Sequence, residues 1–566
     1  MTSKQEAAER SLHNQANLLP RAKLIIVFSG IAITLLISFI DQNGIGVTLP
    51  TIAKDLNAEN TISWAGTSSL IANTTFQMLY GRLSDIFGRK VVFLGATGAL
   101  SLAALLCGLS HSAAMFYVFR GVAGIGGGGL ANLAMIIVSD IVTLEQRGKY
   151  QGIIGSCVGL GNVIGPFLAA AFIARATWRA FFWTISPLAA VVGVLSFLLL
   201  PSTPPTLRFR ESVRKIDYGG VLLSSIGVIF ILIPISGGGA YFPWNSPMVI
   251  SMLVIGFVSL VLFVLWEWKF AKLPMMPVQF FTNRVVCIIL AQSFLLGAVY
   301  QSQLYYLPLY LQNARRFTPL ESAAVIAAMV VSQAFTSIGS GLYISHFKRW
   351  KEIVCSGFAL WTLGAGLLLR LDRNSSPGQI IGPLVVVGIG VGQTFQPTLI
   401  GIQSHVTKAR RAAIISNRNF FRCGGGAVGL ALSAAVLQAA LRSNLPAEYR
   451  YLASNTYALP TIQGPDFNSV LDAYAAASHT VFIVQLPLIG ICLLSCAFLK
   501  DLGLQPREED DGEKKGAEES ADEEKGENAN ENKILEAGNE GKQEQDGSND
   551  QNDMHSSPGV DRKDET

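Results

Sequence analysis

Charge is scarce in this sequence: Asp, Glu, Lys and Arg make up only 14% of its 566 residues. Soluble domains carry roughly 25%, so the deficit argues against a water-soluble fold before any segment is drawn. Cysteine is sparse too, with seven residues that show no zinc or disulfide spacing. Cys492 and Cys496, one helical turn apart, read as membrane-facing packing. The six histidines are scattered, so the expected number of metal sites is none. The glycine-rich run Gly124–Gly129 has no strand before it and no Gly-Lys-Ser/Thr after it, which excludes a nucleotide-phosphate loop. No motif supports an enzyme or a nucleic-acid partner. The first 20 residues are polar and lack a cleavable signal pattern, so the first apolar segment is expected to be retained as an anchor.

Apolar residues supply what charge does not. Half of the chain is hydrophobic and its mean hydropathy is +0.41. Runs long enough for a bilayer, about 17 to 25 residues each, start near Leu24, Ile62, Val91, Met115, Tyr150, Phe181, Tyr218, Met248, Val285, Leu320, Ile353, Ile380, Ala412 and Thr480. That is an all-α polytopic membrane protein with fourteen expected spans. With the N-terminus inside, the inner connections hold about twice the Lys and Arg of the outer ones. The even number then puts both termini in the cytoplasm. Charge is also unevenly shared. From Arg507 onward there are 21 acidic and 8 basic residues, leaving 35 basic and 18 acidic in the rest. Such a tail is expected to be disordered and solvated, with recruitment of regulatory proteins as the alternative.

Polar connections group the spans. Residues 1–23 form an N-terminal segment and 24–201 a bundle of six spans. Residues 202–277 hold a basic loop and two further spans, 278–500 a second bundle of six, and 501–566 the acidic tail. The connection Glu267–Pro277 reads as a polar loop.

Gly81-Arg-Leu-Ser-Asp-Ile-Phe-Gly-Arg-Lys90 joins the second and third spans. Gly81 and Gly88 allow a close turn. Arg82, Arg89 and Lys90 favour the cytoplasmic face, and Asp85 is an acid among bases, able to pair with arginine. A degraded counterpart, Ser340–Trp350, falls between the second and third spans of the later bundle, with Ser345 near the place of Asp85. Repeated halves around a central path are a transporter architecture. The pattern Gly-x-x-x-Asp-x-x-Gly-Arg-Lys resembles the loop signature of the major facilitator superfamily. The plan of six, two and six spans resembles its fourteen-span drug:proton antiporter branch. That resemblance covers roughly residues 24–500 and implies a major facilitator fold, with the hairpin as a cytoplasmic gate latch.

Three spans carry candidate chemistry. Asp41, in Phe39-Ile-Asp-Gln-Asn-Gly, lies well inside the first span, where an ionisable group is expensive unless it faces a cavity or a partner. A low-dielectric surrounding favours its protonated form, which makes it a candidate proton carrier; the alternative is an acid in water at the outer helix end. Arg120 lies within the fourth span before the glycine run and is always charged, so it demands a carboxylate, a carbonyl or water. The resemblance implicates this arginine in proton coupling, although Ala123 stands where the family often has Gln. In the fifth span Gly152, Gly161, Gly165 and Pro166 match the branch's antiporter signature, and Ala169 and Ala170 replace its later glycine pair. Small residues allow close helix contact and Pro166 is expected to kink the span.

Asn73, Gln77, Gln292, Gln301, Gln393, Gln396 and Arg422 are candidates for the substrate path, since polar groups in a bilayer need partners or water. Tyr300, Tyr305, Tyr306 and Tyr310 offer an aromatic wall or interfacial anchors. Asn374-Ser375-Ser376 is a glycosylation sequon on the expected outer side. Together these imply a proton-coupled exporter of small, largely apolar organic compounds such as drugs, secondary metabolites or toxins. It would be powered by the proton gradient without a cofactor and act as a plasma-membrane monomer. Its partners would be a small-molecule substrate, protons and the lipid bilayer. The alternatives are a vacuolar carrier of basic amino acids and a transporter-like nutrient sensor signalling through the tail.

Overall fold

The computed structural model describes residue 5, residues 19–58, 61–143, 145–201, 209–238, 242–454, 467–501 and residue 503. The acidic tail and the 202–208 stretch of the basic loop lie outside these described residues. Among the described residues, fifteen helices of nine residues or more follow one another. They are α1 (Arg21–Asp55), α2 (Trp64–Phe87), α3 (Arg89–Gly108), α4 (Ala113–Ile141), α5 (Arg147–Arg175) and α6 (Trp178–Leu199). After a short turn of helix come α7 (Tyr218–Gly237) and α8 (Pro247–Lys269). Then follow α9 (Arg284–Asn313), α10 (Pro319–Phe347), α11 (Lys351–Leu368), α12 (Pro377–Gly392), α13 (Phe395–Gln403), α14 (Arg411–Asn444) and α15 (Phe467–Ser495). The α12 and α13 helices are two parts of one crossing, interrupted at Gln393 and Thr394.

Among the described residues, thirteen segments are long and apolar enough to cross a membrane. Helix α2 is the additional long helix; its 24 residues reach about 36 Å. Its sequence is more polar because it packs between α4, α14 and α7 and buries Asn73, Thr74, Gln77, Arg82 and Asp85. Helix starts are encoded by caps that satisfy the first backbone N–H groups. Thr318 with Glu321 and Ser376 with Gln379 form capping boxes at α10 and α12, each followed by Pro at the first position. Asn283 caps α9 and Ser246 caps α8.

Three sequence expectations change. Helix α15 begins at Phe467, well upstream of Thr480. Its first turns bury Val470, Leu471 and Tyr474 in the core, while Asp472 turns out to pair with Arg373 at 3.0 Å. Cys492 and Cys496 are buried rather than membrane-facing, because Gln292 of α9 lies against them. The end of the 267–277 connection is also no solvated loop. Ala271, Leu273, Met275 and Met276 are buried, and this irregular strap is held by side chains from three helices. Glu267 of α8 accepts from the Met275 and Met276 amides at 3.2 and 3.3 Å. Arg82 of α2 donates to the Pro274 carbonyl at 2.7 Å, and Asn417 of α14 to that of Met275 at 2.8 Å. Buried irregular backbone needs such partners.

The first six helices enclose two apolar clusters, one around Leu35, Phe93 and Ile136 and one around Phe116, Phe181 and Phe182. The last crossings share a larger cluster around Trp350, Phe358 and Trp361. The two sets meet along α5 with α10 and along α2 with α14.

Candidate functional site

Asp41 and Arg120 come together. Arg120 Nη1 donates to Asp41 Oδ2 at 2.8 Å, and the two side chains are 1% and 3% exposed. This burial rules out a solvated acid at a helix end. The guanidinium lies 6.0 Å from the Phe182 ring centroid, inside the cluster of Phe116, Phe181 and Phe182. Charges this far from water persist because each neutralises the other; removing one partner leaves an uncompensated ion. The pair therefore ties α1 to α4 through two opposite charges.

The Gly81–Lys90 segment is less of a loop than its sequence implies. Residues Gly81–Phe87 belong to α2 and Arg89 opens α3, so the turn falls on Gly88, whose φ of 90° suits glycine. Gly81 is helical. A Cβ there would lie 2.4 Å from Ser416 Oγ and 2.9 Å from the Ala412 carbonyl, so its smallness serves contact with α14. Asp85 sits 2.6 Å from Arg89 and 3.5 Å from Arg82. Arg89 also reaches Asp140, at the end of α4, at 2.9 Å, and Ser84 at 2.6 Å. Lys90 lies outside this network, its ammonium 5.1 Å from the Phe197 ring centroid.

The halves close tightly near this hairpin. Gly148 of α5 and Gly341 of α10 meet backbone to backbone: a Cβ on Gly341 would be 2.2 Å from the Gly148 carbonyl oxygen. The Lys149 amide donates to Ser345 Oγ at 2.9 Å, Ser337 donates to the Gly152 carbonyl at 3.0 Å, and Ser156 to that of Ala334 at 2.5 Å. Lys348 pairs with Glu145 across the same seam. The antiporter-type glycines divide between two interfaces. Gly152 abuts Ser337 of α10, whereas Gly161 and Gly165 abut Phe39 and Ile40 of α1. Pro166 sits inside α5, which runs uninterrupted to Arg175.

Deeper in the bundle a chain of polar groups crosses between the halves. Asn43 donates to Asn162 at 2.8 Å, Asn162 to Tyr300 at 3.0 Å, and Tyr300 to Gln333 at 3.0 Å. A second network links Gln77, Asn73, Asn132, Ser416 and Asn419: Gln77 donates to Asn73 at 2.7 Å, and Asn132 to Ser416 at 2.8 Å. Asn419 returns a bond to Asn132 at 3.1 Å. Arg418 is fully buried, donating to the Phe395 carbonyl at 2.5 Å and to Thr398 at 3.0 Å. Arg422, one turn on, lies 5.8 Å from the Phe395 ring centroid.

The candidate path residues thus separate. Asn73 accepts from Cys423 across the halves and from Gln77 one turn on, Arg422 lies near Phe395, Gln301 lies beside Gly426, and Gln396 presses on Gly155. Gln292 instead bonds Ser495 of α15 at 2.9 Å, and Gln393 accepts from Ser356 of α11 at 2.9 Å. Both stitch helices within one half. Tyr300 belongs to the junction, whereas Tyr310 reaches the Asp372 carbonyl at the helix end at 3.1 Å. Asn374 is exposed, and Ser376 of its sequon caps α12. Asn132, Asn162, Gln333 and Asp140 are the participants that the sequence reading passed over. Each is a polar residue in, or ending, a long and mainly apolar helix.

This architecture has known counterparts. The family model of the Major Facilitator Superfamily matches residues 31–430. The chain belongs to the major facilitator superfamily. "Citrate exporter 1" of Yarrowia lipolytica is 46% identical over 94% of this chain and 80% of its own length. "Efflux pump dotC" of Dothistroma septosporum is 33% identical over 71% of this chain and 70% of its own. The proton:xylose symporter XylE, at 14% identity, shares the fold with a TM-score of 0.56 over 86% of this chain and 97% of that one. As a major facilitator, the chain is a multi-pass membrane transporter and not an enzyme.

Proposed function

We propose that this transporter exports small organic compounds by proton-coupled alternating access. The observation that carries the coupling is the Asp41–Arg120 pair, an acid and a base buried against each other at 2.8 Å within two spans. Arg120 stabilises the ionised carboxylate in the conformation described here. When the halves rock apart near the hairpin and the pair loosens, Asp41 takes a proton, and on return Arg120 displaces it. The Asp85, Arg89 and Asp140 network latches the closed hairpin end while the path faces the other side. Export as the direction draws support from relatives that are named exporter and efflux pump. The cargo we infer combines apolar bulk with a few polar groups, and the relative named for citrate brings polycarboxylates into that class. The plasma membrane, with both termini cytoplasmic, is the location that fits export.

Sealed inside-out vesicles test the coupling. Asp41→Asn keeps the shape of the pair but cannot exchange a proton, so pH-gradient-driven uptake should fall to background while substrate counterflow persists. Full gradient-driven uptake by Asp41→Asn would remove Asp41 as the carrier.

A further inference from the structure

Two guanidinium groups stand one turn apart in α14 without a carboxylate. Among the described residues no ion pair involves Arg418 or Arg422. The other spanning arginine away from the hairpin, Arg120, has Asp41. Arg422 lies eleven residues after the start of α14 at Arg411, about 16 Å along the helix, and so near the middle of a bilayer about 30 Å thick. Unpaired charge at that depth is unfavourable unless it faces a water-filled path or a counter-ion.

The surroundings of the two arginines differ. Arg418 is fully buried, with its Nη atoms on the Phe395 carbonyl, Thr398 and Asn419, the last at 3.3 Å. It is fixed in place. Arg422 is half-buried and its guanidinium rests near the Phe395 ring; Nε is without a hydrogen-bond partner in both arginines. Behind that ring, Tyr300 lies 4.8 Å from Phe395 and Trp361 lies 6.5 Å from Tyr300; both are buried and hold Phe395 in place. A guanidinium offers a planar fork of donors that matches a carboxylate, and the Phe395 ring supplies an apolar face. Phe395 also opens α13 in the middle of a crossing, so a helix N-terminus adds partial positive charge there.

We propose that Arg422, backed by the fixed charge of Arg418, binds the carboxylate of an organic anion against the Phe395 ring. The site names the substrate class for the exporter reading, on which its role in transport rests; binding itself can be measured independently. A positive site disfavours basic amino acids as cargo.

The test uses the purified full chain and calorimetric titration with citrate, succinate and benzoate, alongside their neutral methyl esters. At least one acid should bind, its ester should bind at least tenfold more weakly, and Arg422→Gln should weaken the acid at least tenfold. Arg422→Lys, which keeps charge but loses the fork, should fall between; its unchanged melting temperature guards against misfolding. The inference is overturned if none of the three acids binds, if the ester binds as well as its acid, or if Arg422→Gln binds unchanged. Proteoliposomes separate this from the function. Carboxylate binding without gradient-driven transport would sink the exporter reading and leave the site standing. Gradient-driven transport of a neutral or cationic dye that Arg422→Gln leaves untouched, with no acid competing, would sink the site and leave the exporter.

Discussion

Gly341→Ala should hold the carrier open at the hairpin end. The added methyl would sit 2.2 Å from the Gly148 carbonyl oxygen and 3.2 Å from Gly152 Cα. Non-bonded heavy atoms settle near 3.5 to 4.0 Å, and both neighbours are backbone, so neither can swing aside. Helices α5 and α10 would have to part by about 1 Å or more in this conformation only. That displacement also stretches the Lys149–Ser345 and Ser337–Gly152 hydrogen bonds, now 2.9 and 3.0 Å. Overpacking of this kind typically costs about 1–3 kcal/mol, which corresponds to a shift of roughly 5- to 150-fold in the closed-to-open ratio. A Ser337→Cys reporter, in a chain whose seven native cysteines are replaced, reads that ratio in nanodiscs. Ser337 is buried in the seam, so maleimide labels it only when the halves part there. The labelling rate should rise within that range while the melting temperature stays within a few degrees. Unchanged labelling, with transport intact, would mean that the α5–α10 contact does not define the closed state.

Asp85→Asn should impair cycling without reducing membrane insertion. It removes the acid 2.6 Å from Arg89 but leaves Asp140 to hold that arginine at 2.9 Å; a normal turnover rate would contradict the latch. Asn417→Ala strips the Met275 carbonyl of its donor, at a cost of about 1–3 kcal/mol for a buried unsatisfied group. The melting temperature should fall measurably, and no change would show that the strap is held by other means.

The spans were legible because their signal is summed over many residues: nearly all helices begin within a few residues of the runs read from hydropathy. Asp41 and Arg120 were legible for a sharper reason. A charge inside a span must have a partner, which singled out both; that each is the other's partner comes from the structure. What the sequence withheld is which neighbour a given face meets. Gln292 and Gln77 look alike as single amides in apolar runs, yet one bonds Ser495 within its own half and the other joins the network between the halves. Asn162 and Gln333 escaped notice because each makes sense only with Tyr300 between them. Asp140 was passed over because it stands at the end of an apolar run, where α4 ends, and the strap from Ala271 reads as polar linker. Its burial depends on Arg82 and Asn417, which come from helices distant in sequence.

The polarity of α2 has a practical bearing on how the protein is handled. A count based on apolarity alone stops at thirteen and would put the two chain ends on opposite faces of the bilayer. With α2 counted as a crossing the number becomes fourteen, which is even. The side assigned to every connection after α2 therefore depends on whether that one helix is counted. The residues that make α2 useful inside the bundle are the ones that hide it from a topology count.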